Sequence, residues 1–155
     1  MKSYNNHVGV PLSVARTPAR ARFSAFEMGM NHVGEIAALT VQVRPHVAVG
    51  GEGAFADAKA EFFQGLETPD GTRGGTAVIP ADSPHFERLR AAAERHGARV
   101  VSFGRSDHAD VRLLDAVSAP GGGSLVTADM GDRRICYTVA APGDHWIANS
   151  LAGIA

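Results

Sequence analysis

The chain has 155 residues, 15 basic side chains against 16 acidic ones, and a formal net charge of −1. That length predicts one domain with a real core, and the charge balance gives no reason to expect nucleic acid or a membrane surface as the main partner. The single cysteine, Cys136, excludes an internal disulfide and fits a reducing cytoplasm; no apolar run would span a bilayer, and the polar start Met1-Lys-Ser-Tyr-Asn-Asn is no signal peptide.

Lys2 to Gly9 reads as a loop and Val10 to Ala15 as a short helix, with Pro11 in its first turn and Pro18 beyond its end. Arg22 to Phe26, with apolar Phe23, Ala25 and Phe26, predicts a strand that Gly29 breaks. From Gly34 to Val43 the apolar residues fall at helical spacing. Glu27 is therefore expected at the C-terminal end of a parallel strand, the edge where open α/β sheets bind ligands. A carboxylate there suits a hard cation such as Mg²⁺. The residues alone equally allow a solvated loop carboxylate or a helix cap.

His46 to Val49 is β-branched and predicts a short buried strand. Gly50 to Gly53 reads as a turn, and Ala54 to Leu66 as a helix with Phe55, Ala58, Phe62 and Leu66 on one face. Thr76 to Pro80 is a strand. Asp82-Ser-Pro84 offers a cap followed by a first-turn proline, so a helix is expected from there to Arg95. Arg99 to Phe103 is the next strand, and this alternation argues for a parallel sheet with right-handed crossovers. Val111 to Ser118, Ser124 to Met130 and Arg133 to Ala140 read as an antiparallel meander with a turn at Gly131-Asp132. Asp144 is expected to cap a last helix, His145 to Ile154. The predicted fold is three-layer α/β: a mainly parallel sheet flanked by helices, with an antiparallel extension near the C-terminus.

Glu27-Met-Gly-Met-Asn-His-Val-Gly-Glu-Ile36 resembles the Glu-x-Gly-x-Asn-His-x-Gly-Glu-Ile signature of the Mur ligases. Asn5-Asn-His-Val-Gly-Val-Pro-Leu12 is similar to an Asn-Asn-x-x-Gly-x-Pro-Leu segment of the branch that joins D-Ala-D-Ala to UDP-N-acetylmuramoyl-tripeptide. Ala58-Lys59-Ala-Glu-Phe-Phe63 resembles the family's Ala-Lys-x-Glu-Ile-Phe helix. Gly143-Asp-His145-Trp-Ile-Ala-Asn149-Ser-Leu-Ala152 resembles a Gly-x-His-Asn-x-x-Asn-x-Leu-Ala motif, with Trp146 replacing the first asparagine.

The resemblance implies a cytoplasmic, ATP- and Mg²⁺-dependent amide ligase of peptidoglycan precursor synthesis. It implies Glu27 as a Mg²⁺ ligand and Lys59 as phosphate or metal support, carbamylated in some members. It places Asn149 and His145 on the adenine side of ATP, and Asn5 and Asn6 on the muramyl-peptide side. Read without it, Asn5 and Asn6 are turn formers and caps, Lys59 a snorkelling surface lysine flanked by Asp57 and Glu61, and Asn149 and His145 capping and packing residues. Asp82 matches the family's Asn-Ala-Asp-Asp-Pro turn and is first a structural cap. The five remaining histidines show no metal-ligand spacing, and Cys136 is expected to be buried and inert.

The pattern also fails in places. Lys2 and Lys59 are the only lysines, and neither sits in a Gly-x-x-x-x-Gly-Lys-[Ser/Thr] phosphate loop. Val49 runs into Gly50-Gly-Glu-Gly53 with too few residues for a family segment that supplies a metal-site histidine. The expectation is a truncated central, ATP-binding domain over 1–155. The UDP-binding N-terminal domain, phosphate loop and C-terminal domain would be absent, and the chain inactive alone. Three alternatives stay open: a non-catalytic remnant or binding module, half of a split enzyme whose remainder is encoded separately, and another ATP-dependent ligase of the superfamily.

Overall fold

A computed structural model describes residues 4–50 and 60–155. In chain order these form α1 (Gly9–Arg16), α2 (Glu35–Val43), β1 (Val47–Val49), a 3₁₀ helix (Glu61–Gly65) and β2 (Thr76–Pro80). Then follow α3 (Phe86–Arg95), β3 (Arg99–Gly104), β4 (Val111–Ser118), β5 (Ser124–Asp129), β6 (Arg134–Val139) and α4 (Asp144–Ile154). The six strands make one sheet in sequential order; β1 to β4 run parallel, and β4, β5 and β6 antiparallel. This is the predicted α/β class. No helix among the described residues is long and apolar enough to cross a membrane.

Alternation along β2 assigns the two faces. Ala77 and Ile79 point to one side, where α3 and the 3₁₀ helix cover them with Leu89, Ala92, Phe63 and Leu66. Val78 points to the other side and shares a core with Phe103, Val126 and the Ile147 and Leu151 of α4. Each of the larger apolar side chains here contributes roughly 1.5–3 kcal/mol of transfer free energy. Tyr137 Oη and Ser150 Oγ, 2.8 Å apart, tie β6 to α4.

Only residues 105–110 join β3 to β4, too few for a helical crossover. The register explains how. Val111 and Arg112 pair with Phe103 and Gly104, and Leu113 to Ser118 run on past the end of β3. The antiparallel ribbon therefore overhangs the carboxyl edge of the parallel strands. Asp110 Oδ2 closes the turn by accepting from Ser102 N (2.7 Å) and Oγ (2.6 Å).

Several expectations are corrected. Arg22 to Phe26 forms no strand and pairs with none, so Glu27 does not end a ladder strand. A period-two pattern predicts extended backbone, not a neighbour to pair with, and strands need neighbours. β1 is an edge strand with Val47 and Val49 54% and 48% exposed, so it is not buried. Asp82 does not cap α3, which starts at Phe86; it accepts from Arg105 N (2.7 Å) and Ser106 N (2.8 Å) and so fixes the loop after β3. Asp144 lies in the first turn of α4, and Gly143 takes the cap position. Cys136 is exposed, because β6 turns alternate residues to solvent. The expected helix from Ala54 falls largely outside the described residues; Glu61 to Gly65 is 3₁₀.

Candidate functional site

The approach to Glu27 is built by backbone capping. Asn6 Oδ1 accepts from Val8 N and Gly9 N, both at 3.0 Å, so it serves the start of α1 as a local cap. Asn5 faces the other way. Its Nδ2 donates to Glu27 Oε1 (3.2 Å), and its carbonyl accepts from Gly29 N (2.6 Å). A Cβ on Gly29 would stand 2.7 Å from Asn5 Nδ2, so a larger residue there would push the Asn5 amide aside. Asn5 and Glu27 are thus brought together, with Asn5 orienting the carboxylate.

The loop from Glu27 to α2 is held by two further carboxylates. Glu35 Oε2 accepts from Asn31 N (2.7 Å) and His32 N (3.2 Å), and Oε1 lies 3.3 Å from His32 Nδ1. The Asn31 N–H, then that of His32, holds the Glu35 carboxyl below its usual range. Glu61 arrives from the 3₁₀ helix, only 7% exposed, and accepts from Gly34 N (2.7 Å) and Ala37 N (3.1 Å). In the sequence Glu61 flanks Lys59 and is compatible with a solvated charged face, whereas the structure buries it. Two signals could have found it: Gly34 opens a helix without a capping side chain, and Glu61 interrupts the apolar run Ala60, Phe62, Phe63.

Glu27 lines a groove of about 450 Å³ that also takes in Ser13, Arg16, Phe23 and Phe26. Neither His145 nor Asn149 lines it. They lie on α4, which packs on the sheet face opposite the 3₁₀ helix. Gly143 precedes them at φ +116°, where a Cβ would meet the His145 imidazole at 2.9 Å. The His145 and Trp146 rings stand 5.5 Å apart and tilted by 44°. Asn149 is exposed and its amide makes no hydrogen bond to a described residue, which leaves both ends open to a polar ligand. Lys59 lies outside the described residues.

As a metal site the donor set is thin. Among the described residues, no group of three or more His, Cys, Asp or Glu could hold an ion. Glu27 is exposed, and one of its oxygens accepts from Asn5. That fits a Mg²⁺ held through one carboxylate, waters and ligand phosphates, and does not fit an all-protein cage.

A family model described as the Mur ligase middle domain matches residues 1–155. The chain is 27% identical over 165 residues to a UDP-N-acetylmuramoyl-tripeptide--D-alanyl-D-alanine ligase of Haemophilus influenzae, covering 99% of this chain and 34% of the relative. Against the ligase of the same name from Bacillus subtilis the figures are 25% identity, 99% and 33%. It spans about a third of the length of these curated relatives. A solved UDP-N-acetylmuramoylalanyl-D-glutamyl-2,6-diaminopimelate--D-alanyl-D-alanyl ligase from Acinetobacter baumannii shares the fold, with a TM-score of 0.82 at 22% identity over 99% of this chain and 34% of that one. The motif-bearing loop, the mixed six-stranded sheet and a family match running from end to end place this chain in the Mur ligase family, as a middle domain.

Proposed function

We propose that these 155 residues are the central, nucleotide-handling part of an ATP-dependent amide ligase that adds D-Ala-D-Ala to UDP-N-acetylmuramoyl-tripeptide. The observation that carries the reading is coverage: relatives named for that reaction align with 99% of the chain. In such a ligase the substrate carboxylate is activated as an acyl phosphate, which the amine of D-Ala-D-Ala attacks as phosphate leaves. The chain's own contribution is positional. Glu27 presents a carboxylate oxygen at the groove, and Asn5 fixes its direction. Bound Mg²⁺ would supply neutralisation of phosphate charge. Asn149 offers amide donor and acceptor to a purine edge, with His145 beside it. The substrate roles of Asn5 and Asn6 use what is left of each amide after the bonds to Glu27 and to the α1 backbone. Lys59 is the proposed support for phosphate.

The Glu27 groove and the Asn149 helix share no described cleft, and the 155 residues contain no phosphate loop. We therefore expect this chain alone to release no phosphate from ATP in the presence of UDP-N-acetylmuramoyl-tripeptide and D-Ala-D-Ala. Phosphate release would overturn that expectation. Calorimetry with Mg-ATP and with the UDP-tripeptide tests the rest. Uptake of either supports a ligase part, and uptake of neither leaves the second reading, a non-catalytic module that keeps the scaffold.

A further inference from the structure

We infer that Glu61 is a positioning residue for the Glu27 loop, acting as a remote cap that completes the first turn of α2. In a local capping box, the cap side chain takes the N–H of the third helical residue and that residue's side chain takes the N–H of the cap. Here the cap is Gly34, which has no side chain and sits at φ +92°. Glu61, 27 residues away, does both tasks with one carboxylate: Oε1 accepts from the cap residue Gly34 and Oε2 from the third helical residue Ala37. Its carboxylate is buried, and both N–H groups it accepts from belong to the first turn of α2.

The contact reaches beyond the helix. The 3₁₀ helix that carries Glu61 is seated on α2 a second time at Gly65, where a Cβ would stand 2.4 Å from Thr40 C. With α2 fixed at its start and again at Thr40, Glu35 is held where it can bind Asn31 N and His32 N, and the loop returns to Asn5 through Gly29 N. Glu61 therefore acts on Glu27 through a chain of backbone bonds without touching it. It also stands two residues after Lys59 in the sequence, so it ties the two motif-bearing segments to one helix start.

This rests on the reading of Glu27 as a metal ligand, and the test separates the two. Amide hydrogen exchange and Mn²⁺ binding, followed by electron paramagnetic resonance, would be measured on the 155-residue chain, Glu61→Gln, Glu61→Asp, Glu27→Gln and the remote core variant Val126→Ala. In Glu61→Gln, exchange should speed by roughly tenfold or more at Gly34 and Ala37, and also at Asn31, His32 and Gly29. Mn²⁺ affinity should fall several-fold, with partial recovery in Glu61→Asp. Val126→Ala lowers stability without touching the loop and should leave both readouts unchanged. Acceleration confined to Gly34 and Ala37 would make Glu61 a helix cap only and overturn the inference. If the wild-type chain takes up no Mn²⁺, or Glu27→Gln binds it equally well, the metal reading fails. Exchange at Gly29, Asn31 and His32 then decides the positioning role by itself.

Discussion

Replacing Gly65 with alanine is expected to destabilise the fold by overpacking. The built Cβ meets Thr40 C at 2.4 Å, Thr40 O at 2.5 Å and Thr40 Cβ at 2.8 Å. Two of these atoms are helix backbone, so no rotamer change relieves them; the 3₁₀ helix must move off α2 by about an ångström. Overpacking of this kind costs roughly 1–3 kcal/mol, and a backbone clash belongs near the upper end. The gain from stiffening the unfolded chain offsets about 0.4–1 kcal/mol of it. A net loss of about 2 kcal/mol lowers Tm by roughly 4–8 °C for a domain of this size. Urea titration and thermal unfolding followed by circular dichroism would measure it. The same shift lifts Glu61 from Gly34 and Ala37, so amide protection at the start of α2 should fall too. A Gly65→Ala chain within about 1 °C of wild type would refute the close seating of the two helices.

Asn6→Ala removes the acceptor for two N–H groups at the start of α1 and should cost about 1 kcal/mol, while Asn6→Asp should restore most of it; chemical denaturation reads both. Asp70 is held down to about 2 by the Thr68 hydroxyl first and then by the Thr72 N–H and hydroxyl. A depressed carboxyl stabilises the folded state above its ordinary value of 3.8, and that contribution is lost as pH falls from near 4 to about 2. Asp70→Asn should therefore flatten the stability profile in that window, and superposable profiles for the two proteins would refute it.

How much the sequence discloses depends on how far away each partner lies. The β2–α3–β3 alternation is legible because apolar period and turn residues are local, and the ribbon of β4, β5 and β6 is legible from Gly131-Asp132 and the glycines before Ser124. Asn6 as a cap is legible for the same reason, since it serves residues two and three positions on. Asp82 misleads because Asp-Ser-Pro satisfies the local rule for a helix start, whereas its acceptors are spent on N–H groups 23 and 24 residues downstream. The stretch 22–26 misleads in the same manner: its pattern specifies an extended backbone and is silent on pairing.

The signature from Glu27 to Ile36 raises a sharper point about motifs. Seven matched residues in ten positions invite the view that most touch a ligand. In the fold, Gly29 leaves room for the Asn5 amide, Gly34 forms a left-handed cap, and Ile36 is buried in the core. Glu35 spends its carboxylate on the loop's own backbone, and the N–H groups of Asn31 and His32 are what it spends it on. A loop that must carry one carboxylate through an unpaired stretch to a glycine-started helix has many orphan N–H groups to satisfy. Much of the density of the signature therefore records the difficulty of building that loop. Glu27 is the residue in it whose side chain is left facing the groove with oxygen to spare, which is why the case for a ligand there rests on that side chain and on the positions of Asn5 and Glu61 that aim it.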